Sequence, residues 1–235
     1  GKKPVNIKKN RYKDILPFDE SRVILDGKEK GEEFINASYI KGPNGEKNYI
    51  ASQGPLPHTV NDFIRMLWEL KIEIVFMSCR LEEGEPKKKK CEKYWTDSGE
   101  SKEFGKITVT TVSYEFTNRE VLMRRIHLSC DGSHHRVTQF HYIGWPDHGI
   151  PDHPSLLNIM INHMRVERKR HDIPLVVHCS AGCGRTGTIC AIDYAWTLLN
   201  EGKIGKDFSL YDIILKMREQ RQSMVQTPVS FGTIF

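Results

Sequence analysis

The thiol of Cys179 stands six residues before the guanidinium of Arg185 in Val177-His178-Cys179-Ser180-Ala181-Gly182-Cys183-Gly184-Arg185-Thr186-Gly187, a segment with three glycines. An apolar run at 175–177 precedes it and a helix-like run begins near Thr186. The pattern reads as a strand, a phosphate-sized loop and a helix N-terminus. Backbone N–H groups converge in such a loop and the helix dipole adds positive potential, which makes an anion site. The same surroundings stabilise a thiolate and can bring a cysteine pKa down to roughly 3.5–7.5. Arg185 adds a planar fork suited to two phosphate oxygens at once. Cys179 and Arg185 make sense as a pair, because the arginine and the loop amides offset the repulsion between a thiolate and a phosphate dianion.

Three plainer readings compete. Cys179 could be an inert core cysteine after a buried strand. The glycines of Gly182-x4-Gly187 have nucleotide-loop spacing, but Thr188 stands where that motif needs lysine. Cys179 and Cys183 could be a redox or metal pair, but their spacing is C-x3-C and no second Cys/His pair completes a site.

The elements that must position this loop are legible in outline. The 235 residues, 38% hydrophobic and 28% charged, suit one globular domain with ample core. Helical spacing of apolar residues covers 59–70 and 154–170, and 186–199 is apolar on most faces. Ser209 is placed to cap a last helix with Leu210, Ile213, Ile214 and Met217 on its inner stripe. Strands are expected at 72–79, 107–112, 121–128 and 137–143. The charged stretch 82–90 and the polar stretch 97–102 read as loops, and 131–135 as a hairpin turn that includes His134 and His135. Strands mixed with helices imply a sheet sandwiched by helices.

No apolar run approaches the length of a membrane span and no secretory signal opens the chain. The six cysteines resemble no disulfide scaffold, and a thiolate nucleophile needs a reducing compartment, so a cytoplasmic location is expected. The net charge of +5 is mild, and the basic run 87–90 reads for the most part as a solvated loop, with attraction of an anionic, phosphorylated substrate as the more specific alternative; its lack of interleaved aromatics argues against nucleic acid. A monomer without membrane insertion is expected.

The loop's His-Cys-x5-Arg-Thr form resembles the signature of the tyrosine-specific, cysteine-dependent protein tyrosine phosphatases. Six further segments occur in that family's order: Lys9-Asn10-Arg11-Tyr12-Lys13-Asp14, Asn36-Ala37-Ser38-Tyr39-Ile40, Gln53-Gly54-Pro55, Lys90-Cys91-Glu92-Lys93-Tyr94-Trp95, Trp145-Pro146-Asp147 and Gln226-Thr227. Ile189-Cys190-Ala191-Ile192-Asp193-Tyr194 and Met217-Arg218-Glu219-Gln220-Arg221 are similar to the PEST-type non-receptor group. The resemblance implies an α/β (α+β) single domain over 1–235, a twisted mixed β-sheet flanked by helices, with the nucleophile loop between a central strand and a helix.

It also implies roles. Cys179 attacks phosphorus, while Arg185 and the amides of Ser180, Ala181, Gly182, Cys183, Gly184 and Arg185 bind the equatorial oxygens. Asp147 is the general acid and then base on a mobile loop, and Gln226 positions the attacking water. Thr186 hydrogen-bonds the sulfur, a helix N-terminal residue that caps the backbone being the alternative, and His178 supports the loop from behind, a buried, satisfied histidine being the alternative. Tyr12 packs on the substrate ring, Asp14 bonds the bound peptide's backbone, and Lys90 lies beside the site. Glu85 is the candidate acid that orients Arg185, a surface glutamate being the alternative. No metal or cofactor is needed, and the partners are phosphotyrosine proteins or peptides. After Gln226-Thr227, the run Pro228-Val229-Ser230-Phe231-Gly232-Thr233-Ile234-Phe235 departs from the family, with Ser230 where a second glutamine is usual. The closing helix of the family is therefore expected to be missing, and a catalytically weak phosphotyrosine-binding module is the alternative function.

Overall fold

The apolar runs at 72–79 and 175–177 have no polar face, so the strands they form must be covered on both sides. The computed structural model describes residues 1–27, 29–146, 149–151 and 153–227. In chain order these form α1 (Pro4–Ile7), β1 (Arg22–Ile24), β2 (Phe34–Lys41), β3 (Lys47–Ser52), α2 (Val60–Glu69) and β4 (Ile74–Met77). Then follow β5 (Glu82–Glu83), β6 (Lys88–Lys89), β7 (Ser101–Phe104), β8 (Ile107–Asn118), β9 (Val121–Cys130) and β10 (Ser133–Tyr142). The chain continues through α3 (Pro154–Glu167), β11 (Leu175–His178), α4 (Gly184–Asn200) and α5 (Leu210–Arg218). Nine strands make one mixed sheet in the order β1-β2-β3-β11-β4-β10-β9-β8-β7. The fold is a single domain with that sheet flanked by helices.

Alternation along the central strands divides the core. Ile50, Val75 and Val176 pack with Phe63, Ile64 and Leu67 of α2 on one face. Tyr49, Phe76 and Val177 face the other way, into the layer of α3, α4 and α5, with Leu157, Met160, Ile189, Ile213 and Met217.

β3, β11, β4 and β10 run parallel, and one row of their register reads Ser52, His178, Met77 and His141. The chain therefore leaves all four strands near one edge, and the segments that follow them meet there. Ligands of open α/β sheets gather at this carboxyl edge.

Several expected boundaries shift. β8 runs on to Asn118, well past residue 112. The turn expected over 131–135 contracts to Asp131 and Gly132, both at positive φ (49° and 76°), which is the two-residue geometry that matches strand twist. His134 and His135 consequently lie on β10 rather than in a turn, and the His135 ring bonds the Ile72 carbonyl at 2.6 Å. The stretch 82–90 holds the small hairpin β5–β6, and Ser101 and Lys102 belong to β7 rather than to a loop. α3 stops at Glu167 because Arg168 turns extended. The pattern conceals β2 and β3, where Asn36, Ser38 and Ser52 are buried polar residues in positions that alternation assigns to apolar ones.

Ser209 caps α5 as expected, accepting the Asp212 N–H at 3.2 Å. Ser209→Ala is predicted to lower stability by about 1 kcal/mol in urea unfolding. No loss would mean that this end is held by packing alone.

Candidate active site

β11 delivers Cys179 into the loop and α4 begins at Gly184, so the six-residue spacing to Arg185 spans one turn between strand and helix. Cys179 is buried, and the Gly182 N–H donates to its sulfur at 3.2 Å. Gly182 is required here: its φ is +73°, and a Cβ would lie 2.2 Å from the Ser52 carbonyl oxygen. Cys183 is fully buried with its sulfur 3.7 Å from Gln226 Oε1, and burial, reinforced by Cys179, pushes its thiol up to about 12. It is therefore a packing residue and a poor nucleophile.

Arg185 is gripped by Glu83 through two hydrogen bonds, 2.7 Å to Oε1 and 3.0 Å to Oε2, and donates to the carbonyls of Ser78 and Pro146. Burial pulls its pKa down, but the bonds and charge of Glu83 outweigh this and leave it above its ordinary value. Glu83, not Glu85, is thus the orienting acid. Alternation on β5 turns Glu83 inward and buries it, whereas Glu85 is exposed in the hairpin turn.

His178 is fully buried behind the loop. Its Nδ1 lies 3.3 Å from the Cys179 carbonyl oxygen and its Nε2 is 2.8 Å from the Tyr94 hydroxyl. Burial pulls its imidazole down to about 4, against the opposing effect of the Cys179 carbonyl. It is neutral at physiological pH.

The loop's outer side is held by Arg221, whose side chain is fully buried. It donates to the carbonyls of Gly182 (2.7 Å) and Ala181 (3.0 Å), to Ser38 Oγ (3.1 Å) and to Asn36 Oδ1 (2.8 Å). Burial lowers its pKa to about 10, opposed by Cys183 and Cys179, so it stays a cation. Asn36 in turn donates from Nδ2 to Asn10 Oδ1 and the Ile15 carbonyl. Gln53 accepts from the Arg11 N–H and donates to the Lys9 carbonyl, while Arg11 donates to the carbonyls of Gly54 and Pro55. The buried polar residues of β2 and β3 thereby hold the 9–15 loop against the Cys179 loop, and Tyr12 bonds Ser180 through their hydroxyls at 2.9 Å.

Tyr12, Asp14, Lys90, Cys179, Ser180, Ala181, Gly184, Arg185 and Gln226 line one cavity of about 320 Å³. Trp145 and Pro146 also border it, and the Trp145 indole donates to the Gly149 carbonyl at 3.0 Å. Asp147 lies outside the described residues, as does the stretch 228–235. Thr186 departs from expectation: its hydroxyl is buried beside the loop and makes no hydrogen bond among the described residues, so the bond to sulfur is not made here. Gln226 follows Val225, which sits at φ 54°, a region that β-branched residues avoid. Arg218 on the Val225 carbonyl and the Cys183 carbonyl on its N–H hold it there. Sequence reasoning misses Glu83, Arg221 and Tyr94 as site residues. The signal available for them was position within the family-like segments 90–95 and 217–221, and none for Glu83.

Residues 6–234 match the protein-tyrosine phosphatase family. Human tyrosine-protein phosphatase non-receptor type 12 is 47% identical across 100% of this chain, which spans 30% of that protein. Human non-receptor type 18 is 40% identical, and the chain spans 51% of it. The chain thus spans about half or less of the length of these curated relatives. The crystal structure of the catalytic domain of human non-receptor type 18 superposes with a TM-score of 0.95 at 40% identity, covering 100% of this chain and 84% of that one. Another solved structure, of the type 18 protein in complex with HER2 phosphopeptides, gives a TM-score of 0.93 at 40% identity, covering 100% and 81%.

Arg221→Met is predicted to strip several buried acceptors of their donor, at about 1–3 kcal/mol for each one left unsatisfied. Urea unfolding should show the loss, and unchanged stability would contradict the bracing role. A pH effect follows from His178. Unfolded, a histidine titrates near ~6.5; folded, this one titrates at about 4. The unfolded chain binds the proton first, so His178 leaves stability intact above the unfolded value and lowers it progressively as pH falls toward the folded one. His141, brought by burial and then Arg124 to about 3, extends the loss further. The urea midpoint of the parent should fall across this window, and less steeply in His178→Gln.

Proposed function

The chain belongs to the protein-tyrosine phosphatase family, and on that premise we propose that it hydrolyses phosphotyrosine in proteins or peptides through a cysteinyl-phosphate. One observation carries the reading: Cys179 and Arg185 line the same cavity as Tyr12. In the first step the Cys179 sulfur forms a bond to phosphorus as the bond to the tyrosine oxygen breaks. Arg185 and the loop amides take the equatorial oxygens, where charge spreads in the transition state. Asp147 gives its proton to the leaving phenol oxygen. In the second step Asp147 takes a proton from water, which Gln226 positions, and the water oxygen bonds to phosphorus as the S–P bond breaks, freeing the Cys179 sulfur and releasing inorganic phosphate. The unpaired hydroxyl of Thr186 is available to the departing sulfur.

Tyr12 supplies the choice of tyrosine, since a ring-lined wall favours a long aromatic phosphoester over phosphoserine. Asp14 accepts from the peptide backbone, and Lys90 attracts the anionic substrate. The phosphopeptide-bound relative supports a peptide substrate of this kind. All six cysteines are free, which suits a reducing compartment such as the cytoplasm. Among the described residues no helix is long and apolar enough to cross a membrane.

The test is turnover of phosphotyrosine and phosphoserine peptides. Cys179→Ser is expected to abolish phosphotyrosine turnover, and surviving activity would end this mechanism. Asp147→Ala is expected to slow turnover by about 10²–10⁴-fold while still binding substrate. Tyr12→Ala should narrow the preference for phosphotyrosine over phosphoserine.

A further inference from the structure

We infer that Arg124 and Gln139 are positioning residues that, through Tyr94, keep the His178 proton on Nδ1, where it holds the carbonyl of Cys179. The inference rests on the reading of Cys179 as nucleophile. Its basis is a buried chain of hydrogen bonds whose direction is forced from one end. Arg124 NH1 lies 2.7 Å from Gln139 Oε1, Gln139 Nε2 lies 2.7 Å from the Tyr94 hydroxyl, and that hydroxyl lies 2.8 Å from His178 Nε2. Arg124 is 9% exposed, Gln139 and His178 0%, and Tyr94 1%, so water does not substitute for any link.

A guanidinium has donors and no acceptor. Gln139 must therefore turn its oxygen to Arg124 and its amide N–H to Tyr94. The tyrosine oxygen accepts that bond and spends its own hydrogen on His178 Nε2, because its one other hydrogen-bond partner among the described residues, the weak acceptor Met77 Sδ, is 3.9 Å away. A neutral imidazole that accepts at Nε2 carries its proton on Nδ1. That atom is 3.3 Å from the Cys179 carbonyl, and no other hydrogen bond to this carbonyl is seen among the described residues. The same arginine also sets a second ring: NH1 donates to His141 Nδ1 at 3.2 Å, so His141 donates from Nε2 to the Cys79 carbonyl. Stacking over Trp95, with the guanidinium carbon 4.3 Å from the ring centroid, holds Arg124 in place.

The position of this one proton matters to the loop. The Cys179 carbonyl and the Ser180 N–H belong to one trans peptide and point in opposite directions. A donor on the carbonyl therefore fixes where the first loop amide points. With the proton on Nε2 instead, an imidazole lone pair would face the carbonyl oxygen and repel it.

The experiment is long-range nitrogen-15 to proton correlation of the His178 ring in the folded, labelled chain, assigned with His178→Gln. The parent is expected to carry its proton on Nδ1 and none on Nε2. Gln139→Glu keeps the shape but has no N–H to offer, so Tyr94 must donate to residue 139 and accept from His178, and Nε2 gains a proton. Arg124→Met removes the constraint and gives a mixture, and Arg124→Lys restores the parent pattern. The value of kcat/KM for a phosphotyrosine peptide should fall about tenfold in Gln139→Glu. A parent protonated on Nε2, or ring nitrogens unmoved in folded Gln139→Glu, overturns the inference, and if that variant does not fold the parent pattern decides alone. A parent with no phosphotyrosine turnover would instead sink the functional reading and leave the tautomer assignment standing.

Discussion

Arg221 is a cation taken wholly out of water and given, among the described residues, only neutral hydrogen-bond partners. Removing such a charge from solvent is costly, and carbonyls and amides repay it only when they are already aimed at the guanidinium. Here two of them belong to the nucleophile loop and one to Asn36, whose other side holds the 9–15 loop. The cation therefore ties together the two loops that border the cavity. It also turns the carbonyls of Ala181 and Gly182 toward the protein, leaving the inner side of the loop to its N–H groups.

The charges around Cys179 are arranged asymmetrically. Arg185, at the cavity, is matched by Glu83, which fixes the plane of its fork. Arg221, on the loop's outer side, has no carboxylate among its hydrogen-bond partners in the described residues. The nearby imidazoles of His178 and His141 are kept neutral by burial. The loop thus sees net positive charge held in fixed positions, an arrangement that suits an anion bound at its N–H groups without reorganisation.

How much of this was legible beforehand depended on whether the physics was local. Cys179, the glycines and Arg185 lie within one turn of chain, so their chemistry shows in the order of residues. The helices at α2, α3 and α5 show through periodicity. Glu83 was missed for Glu85 because the orientation of β5 is set by its pairing with β6, a contact that a charged run does not reveal. Arg124 and Arg221 were illegible for a different reason: nothing in the type of a residue distinguishes a buried, fully bonded guanidinium from a solvated one. Asn36, Ser38 and Gln53 are conspicuous only as parts of short motifs, and their role as struts depends on partners far away in sequence. The polarity of Arg124, Gln139, Tyr94 and His178 exists only once three strands and a loop are assembled.

The strand that leads into Cys179, β11, is made late and inserted between β3 and β4, which precede it by about a hundred residues or more. Until it arrives, the facing edges of β3 and β4 have no ladder partner, and such edges invite pairing with other chains. Long-range closure of this kind is also slow, since its loop entropy must be met before its contacts reward it. The emerging chain thus passes through a stage in which its sheet has a gap and its chemistry does not yet exist. The assembled cavity and protection from aggregation are then acquired together, by the same short strand.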